Sequence, residues 1–172
     1  MIIDCTEFKF QHVSNLDLNP LIFPNCKNTI TGKALIGIAP RGMGLFFSDI
    51  YPGSISDNCI TETSGVVWWI QPEHELMADR GFAFQDLCAL KGIYLNRPAQ
   101  KLSDQLTQAE VASNFDIASR IHVERFIGRV TEWSILNAVW PVQRTDLLSS
   151  TWEALCHIVN LTMPPIGPRE NK

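Results

Sequence analysis

The chain has 172 residues, 45% hydrophobic and 19% charged, with a mean hydropathy of +0.02, which is the profile of one globular domain and not of a disordered or fibrous chain. No apolar run reaches the length of a membrane span, and Met1–Phe10 lacks the basic head and small-residue cleavage site of a signal peptide, so no membrane segment is expected. A formal net charge of −4 argues against gripping nucleic acid by bulk electrostatics alone, but not against a nuclease, whose acidic metal ligands count in the total.

Ile2 to Phe10 reads as a strand in which Ile3, Cys5, Glu7 and Lys9 alternate with Asp4, Thr6, Phe8 and Phe10. A polar loop rich in Asn and Pro follows through Lys27. The run ALIGIA at 34–39, a turn over Pro40–Gly44 and LFFSDIY at 45–51 predict a β-hairpin. After Pro52-Gly53 the period changes: Ser54 reads as an N-cap with Asp57 three residues on, opening a short helix to about Ile70. Strands are predicted at Glu75–Asp79 and Gly92–Asn96. Thr107–Glu110 forms a second capping box, opening a long helix to about Trp133, and an amphipathic helix covers Asp146 to Leu161. Meander strands followed by strands and helices predict an α/β fold, a mixed sheet with helices on its faces. One domain is expected over 1–163, with a flexible tail at 164–172 (PPIGPRENK).

The five cysteines are odd in number and show no CxxC spacing, so they read as reduced core thiols of the cytosol or nucleus. No histidine is paired at ligand spacing with a second His or Cys, which argues against zinc. The five tryptophans read as core or interface aromatics, with nothing basic interleaved.

Three carboxylates stand in apolar segments: Asp4, Asp79 and Glu124. A buried carboxylate is costly unless it finds a partner, a shifted pKa or a metal ion. Each has an ordinary alternative. Asp4 could be a solvent-facing edge residue, Asp79 a strand-end turn former, and Glu124 the partner of Arg120 one helical turn away. Alternation puts Asp4 with Phe8 and Phe10, and helical spacing puts Glu124 on a mostly apolar stripe with Ile117, Arg120, Ile121, Ile127 and Gly128. Two acids on neighbouring strands and one on a facing helix can hold one or two Mg²⁺ or Mn²⁺ ions, which favour oxygen ligands and serve phosphodiester cleavage. Asp57 has a sufficient structural reason as a helix cap and ranks below the three. Asp49 and Glu7 read as supporting or surface acids, Lys33 as a solvated strand-entry lysine and His122 as a partly buried helix histidine.

The motifs IDCTE, TGKALIGIAPRG, YPGSISDNCITETSG, MADRGF, RIHVERFIGRV and CHIVNLTMPP occur in that order over nearly the whole chain. This ordered set resembles the DDE endonuclease domain of PIF/Harbinger-type transposases. The resemblance implies a ribonuclease-H-like fold, a five-stranded mixed sheet whose first three strands are antiparallel, flanked by helices. It implies Asp4, Asp79 and Glu124 as catalytic metal ligands, with Asp57 as an accessory candidate, and DNA as the substrate. Arg80, Arg125 and Arg129 are the expected contacts to the DNA backbone. Thr131 stands where the family usually has a lysine, and Ile30 where it usually has an asparagine. Family members carry a DNA-binding region and a helical lead-in before the first catalytic strand, whereas Met1 is three residues from Asp4, so truncation at the N-terminus is expected. A separate DNA-binding domain or protein would then supply specificity, and the nucleus is the expected location. The alternatives are a domesticated, inactive adaptor or an unrelated phosphohydrolase using the same acids.

Overall fold

The structure, a computed structural model, describes residues 1–11, 30–79, 81–97, 121–162 and 164. The strands are β1 (Ile2–Lys9), β2 (Thr31–Ile38), β3 (Gly44–Phe47), β4 (Tyr51–Pro52), β5 (Glu75–Met77) and β6 (Tyr94–Asn96). They form one six-stranded sheet in the order β3-β2-β1-β5-β6, with β4 also beside β2. β1 and β2 pair antiparallel from Ile2↔Ile38 to Lys9↔Thr31, and both β3 and β4 run antiparallel to β2. β5 is parallel to β1, and β6 to β5. This is the mixed α/β sheet expected of a ribonuclease-H-like domain, with its first three rungs antiparallel.

The expected strand at 45–51 splits in two, which is why six strands fill five rungs. Ser48 causes the break: its Oγ accepts the Leu35 N–H at 2.8 Å while its own N–H donates to the Leu35 carbonyl at 2.9 Å. A side chain thus takes one place in the ladder. The Ile50 N–H turns away to Ser149 Oγ on the last helix, at 2.9 Å.

The helices are α1 (Asp57–Ser64), α2 (Val66–Trp69), α3 (Gln85–Lys91), α4 (121–131), α5 (Ser134–Asn137) and α6 (Thr145–Thr162). The cap of α1 is Ser56, whose Oγ accepts the Cys59 N–H at 3.1 Å, so Asp57 is the first helical residue and Ser54 lies outside. Gly65, at φ 74°, ends α1 and opens α2, dividing the single helix expected there. α3 was not foreseen, yet the parallel pairing of β5 with β6 requires a crossover between them. The predicted start of the long helix at Thr107–Glu110 falls outside the described residues, as does the tail apart from Pro164.

Alternation along β1 and β2 builds two core layers. One face carries Ile2, Phe8, Phe10, Ile36 and Ile38, covered by Val123, Phe126 and Val130 of α4 and by Leu148, Trp152 and Val159 of α6. The other carries Ile3 and Leu35, covered by Ile60, Val66, Val67 and Phe82. Trp152 is fully buried, with its ring edge-on to Phe8 at 5.4 Å. Trp140 is buried too, but Trp68 and Trp69 are 60% and 70% exposed, and Lys91 Nζ lies 5.2 Å from the Trp68 ring centroid. No helix among the described residues is long and apolar enough to cross a membrane.

Cys88 and Cys156 are buried, Cys5 is half-buried and Cys59 is exposed, all as free thiols; Cys26 lies outside the described residues. Burial pushes the Cys5, Cys88 and Cys156 thiols up, with Asp57 adding to the effect at Cys5. A raised pKa disfavours the reactive thiolate. Among the described thiols, alkylation at pH 8 should therefore label Cys59 and leave Cys5, Cys88 and Cys156 unlabelled until unfolding, as peptide mapping would report. Replacing Trp152 by alanine should cost about 3–5 kcal/mol in urea unfolding, because the vacated core cannot fully collapse.

Candidate active site

The parallel pair Ile2↔Met77 fixes which residues of β1 and β5 are neighbours. Two residues on stand Asp4, within β1, and Asp79, two residues past the end of β5, where continued alternation puts the two on the same face. Ile2 and Met77 belong to the core layer under α4 and α6, whereas Leu76 and Ala78 belong to the other. The ladder persists beyond β5, since the Ala78 N–H donates to the Asn96 carbonyl at 3.1 Å. Both aspartates are half-buried, and Asp4 Oδ1 accepts the Cys5 N–H at 2.8 Å. Asp4 shares its face with Phe8 and Phe10, as alternation predicts.

Glu124 lies on α4, which covers that same face through Val123, Phe126 and Val130. Its own side chain is exposed, which corrects the expectation of a core-facing position. The buried stripe is displaced by one residue: Ile121 is 44% exposed, and a Cβ on Gly128 would meet nothing within 4 Å. Ile117 and Arg120 lie outside the described residues. A solvated carboxylate carries no desolvation cost, so the argument from burial does not apply to Glu124. Among the described residues, no three His, Cys, Asp or Glu side chains converge closely enough to hold a metal ion. Within that limit, Asp4 and Asp79, each two residues on from the paired Ile2 and Met77, supply carboxylate oxygens, the donors a hard divalent cation favours.

Asp57 is not part of this group. Lys33 is opposite Glu7 in the β1–β2 register and two residues from Leu35, which puts it on the other face of the sheet. There Lys33 Nζ pairs with Asp57 Oδ1 at 3.0 Å and donates to the Ile55 carbonyl at 3.0 Å. The accessory candidate Asp57 is thus held by an ammonium on the face opposite Asp4. Lys33 is only 14% exposed in its side chain, not the solvated lysine expected. Asp49 and Glu7 are exposed.

Arg125 is exposed, whereas Arg129 donates to the Pro164 carbonyl at 2.8 Å and lines a cavity of about 70 Å³ with Phe126, Val159 and Asn160. Arg80 lies outside the described residues. His122 is partly buried as expected. Burial and the charge of Arg125 lower its pKa.

Two residues that sequence reasoning passed over brace the turn after Asp79. Asn58 Oδ1 accepts the Ala83 N–H, and Arg97 Nη1 donates to the Phe82 carbonyl at 2.8 Å. Nothing local marks either residue for this role, because their partners are 25 and 15 residues away in the chain.

No curated protein and no solved structure matches the chain. The family model described as DDE superfamily endonuclease matches residues 3–160, a span that includes Asp4, Asp79 and Glu124. With that match covering nearly all of its length, and a mixed sheet flanked by helices, the chain belongs to the DDE superfamily endonucleases.

Proposed function

We propose that this domain is a divalent-metal-dependent DNA endonuclease of transposase origin and PIF/Harbinger type, hydrolysing phosphodiester bonds with Asp4, Asp79 and Glu124. The observation that supports this reading is the β1–β5 register, in which Asp4 and Asp79 each follow the paired Ile2 and Met77 by two residues, in a chain of the DDE endonuclease family. Asp4 and Asp79 would hold a Mg²⁺ or Mn²⁺ ion from the sheet, and Glu124 would contribute from the helix above it. Such an ion supplies Lewis-acid stabilisation and activates water. The half-burial of the two aspartates limits water around their oxygens, which strengthens their hold on a cation.

DNA follows as the substrate from the endonuclease family. With a net charge of −4, affinity would depend on local basic residues and on a separate DNA-binding domain or protein. Arg125 is the best placed of the suggested backbone contacts because it is exposed and adjoins Glu124. Arg129 is partly engaged by the Pro164 carbonyl. A chromosomal substrate would place the protein in the nucleus, which imaging of a tagged chain would test. The second reading, a domesticated or truncated adaptor that keeps the fold without the activity, draws on the absence of three converging acids among the described residues.

The purified domain should nick plasmid DNA in Mn²⁺, and Asp4→Ala, Asp79→Ala or Glu124→Ala should each lower the rate by at least about a hundredfold. Unchanged rates in all three would reject the site; DNA binding without cleavage by the wild type would favour the adaptor. Arg125→Ala should weaken DNA binding alike across sequences and reduce the salt slope by about one.

A further inference from the structure

Behind Asp4 and Asp79, on the opposite face of the sheet, lies a polar group that the hydrolytic scheme leaves unused. Its centre is Asp57, the first residue of α1, with its side chain 33% exposed and paired to Lys33 of β2. The same carboxylate faces Cys5 of β1, where its charge and a side-chain hydrogen bond reinforce the effect of burial on the thiol. Asp57 therefore ties α1 to the two central strands.

Its second oxygen reaches the turn that follows Asp79. Asp57 Oδ2 lies 3.1 Å from where a Cβ on Gly81 would be, the nearest atom to that point among the described residues apart from the neighbours of Gly81 in the chain. Gly81 does not adopt a left-handed backbone, unlike Gly42, Gly65 and Gly92. A Cβ at Gly81 would thus press on the Asp57 carboxylate, which would have to give by a few tenths of an ångström. The next residue of α1, Asn58, holds the Ala83 N–H, while the Phe82 N–H closes back on the Asp79 carbonyl at 3.1 Å. β5 is only three residues long and ends at Met77, so Asp79 stands two residues beyond it, where the turn begins.

We propose that Asp57 is a positioning residue: anchored by Lys33, it sets the turn at Gly81–Ala83 against the N-terminus of α1 and so holds Asp79 beside Asp4. This rests on the proposed role of Asp79 in holding a cation. Asp57 acts from behind the sheet and touches neither the cation nor DNA.

The test uses the full chain with Asp57→Asn, Asp57→Ala, Gly81→Ala and the double variant Asp57→Ala/Gly81→Ala, each checked for folding by thermal melting. Mn²⁺ binding is followed by electron paramagnetic resonance, and amide exchange at Phe82 and Ala83 by NMR. Asp57→Asn and Gly81→Ala should each weaken Mn²⁺ binding roughly tenfold and speed exchange at Phe82, with Tm within about 4 °C of the wild type. The double variant should be no worse than Asp57→Ala, because the added methyl group then has room. Wild-type values in both single variants would overturn the proposal. So would a Gly81→Ala effect that is the same with or without the Asp57 carboxylate. If the wild type binds no Mn²⁺, the acid-site reading fails, and the exchange data alone decide whether Asp57 sets the turn.

Discussion

The parallel contact between β1 and β5 is the constraint on which the site depends. On its other side β1 is held to β2 by eight consecutive antiparallel pairs, a strong and unambiguous register. Towards β5 there is a single registered pair, Ile2↔Met77, supported by the Met77 N–H donating to the Met1 carbonyl at 2.8 Å. Side chains alternate with a period of two, so a slip of one residue would carry Asp79 to the opposite face and leave Asp4 alone. The apolar residues prevent the slip. Met77 must join the layer of Ile2, while Leu76 and Ala78 must join that of Ile3.

The four acids considered for the site occupy three electrostatic settings. Asp4 and Asp79 are half-buried on one face, Asp57 is neutralised by Lys33 on the other, and Glu124 meets solvent. In the first setting partial burial limits hydration of the carboxylates, which a bound cation would offset. In the second, the ammonium has already offset the charge; in the third, water does so. A burial argument therefore singles out the two aspartates, and the case for Glu124 rests on its helix and on the family.

The sheet also divides labour between its faces. The face under α4 and α6 presents Asp4 and Asp79, while the opposite face holds Lys33, Cys5 and the start of α1 directly behind them. Odd residues of β1 thus serve as support and even residues as presentation. The same alternation that builds two core layers separates the proposed chemistry from the proposed scaffold. The turn after Asp79 joins the two, since Asn58 holds it from the supporting face and Arg97 from beside β6.

Much of this was legible in the residues themselves. The alternation of β1, the hairpin, the amphipathic α6 and the placing of Asp4 with Phe8 and Phe10 all follow from local periodicity, because period reports which side chains share a face. The ordered motifs identified the family for the same reason: residue type and spacing are written in the chain. Local pattern does not say what covers each face. Whether Glu124 or the stripe beside it meets the sheet, whether Lys33 is solvated or bound to Asp57, and whether Ser48 continues a strand or replaces a rung all depend on distant partners. Lys33 and Asp57 are 24 residues apart, and Leu35 and Ser48 are 13 apart. Residue type and spacing specify the acids, the first strand and the late helix; folding alone sets which acids are buried, which meet solvent and which pair with a lysine, because burial and charge pairing are properties of surfaces brought together from distant parts of the chain.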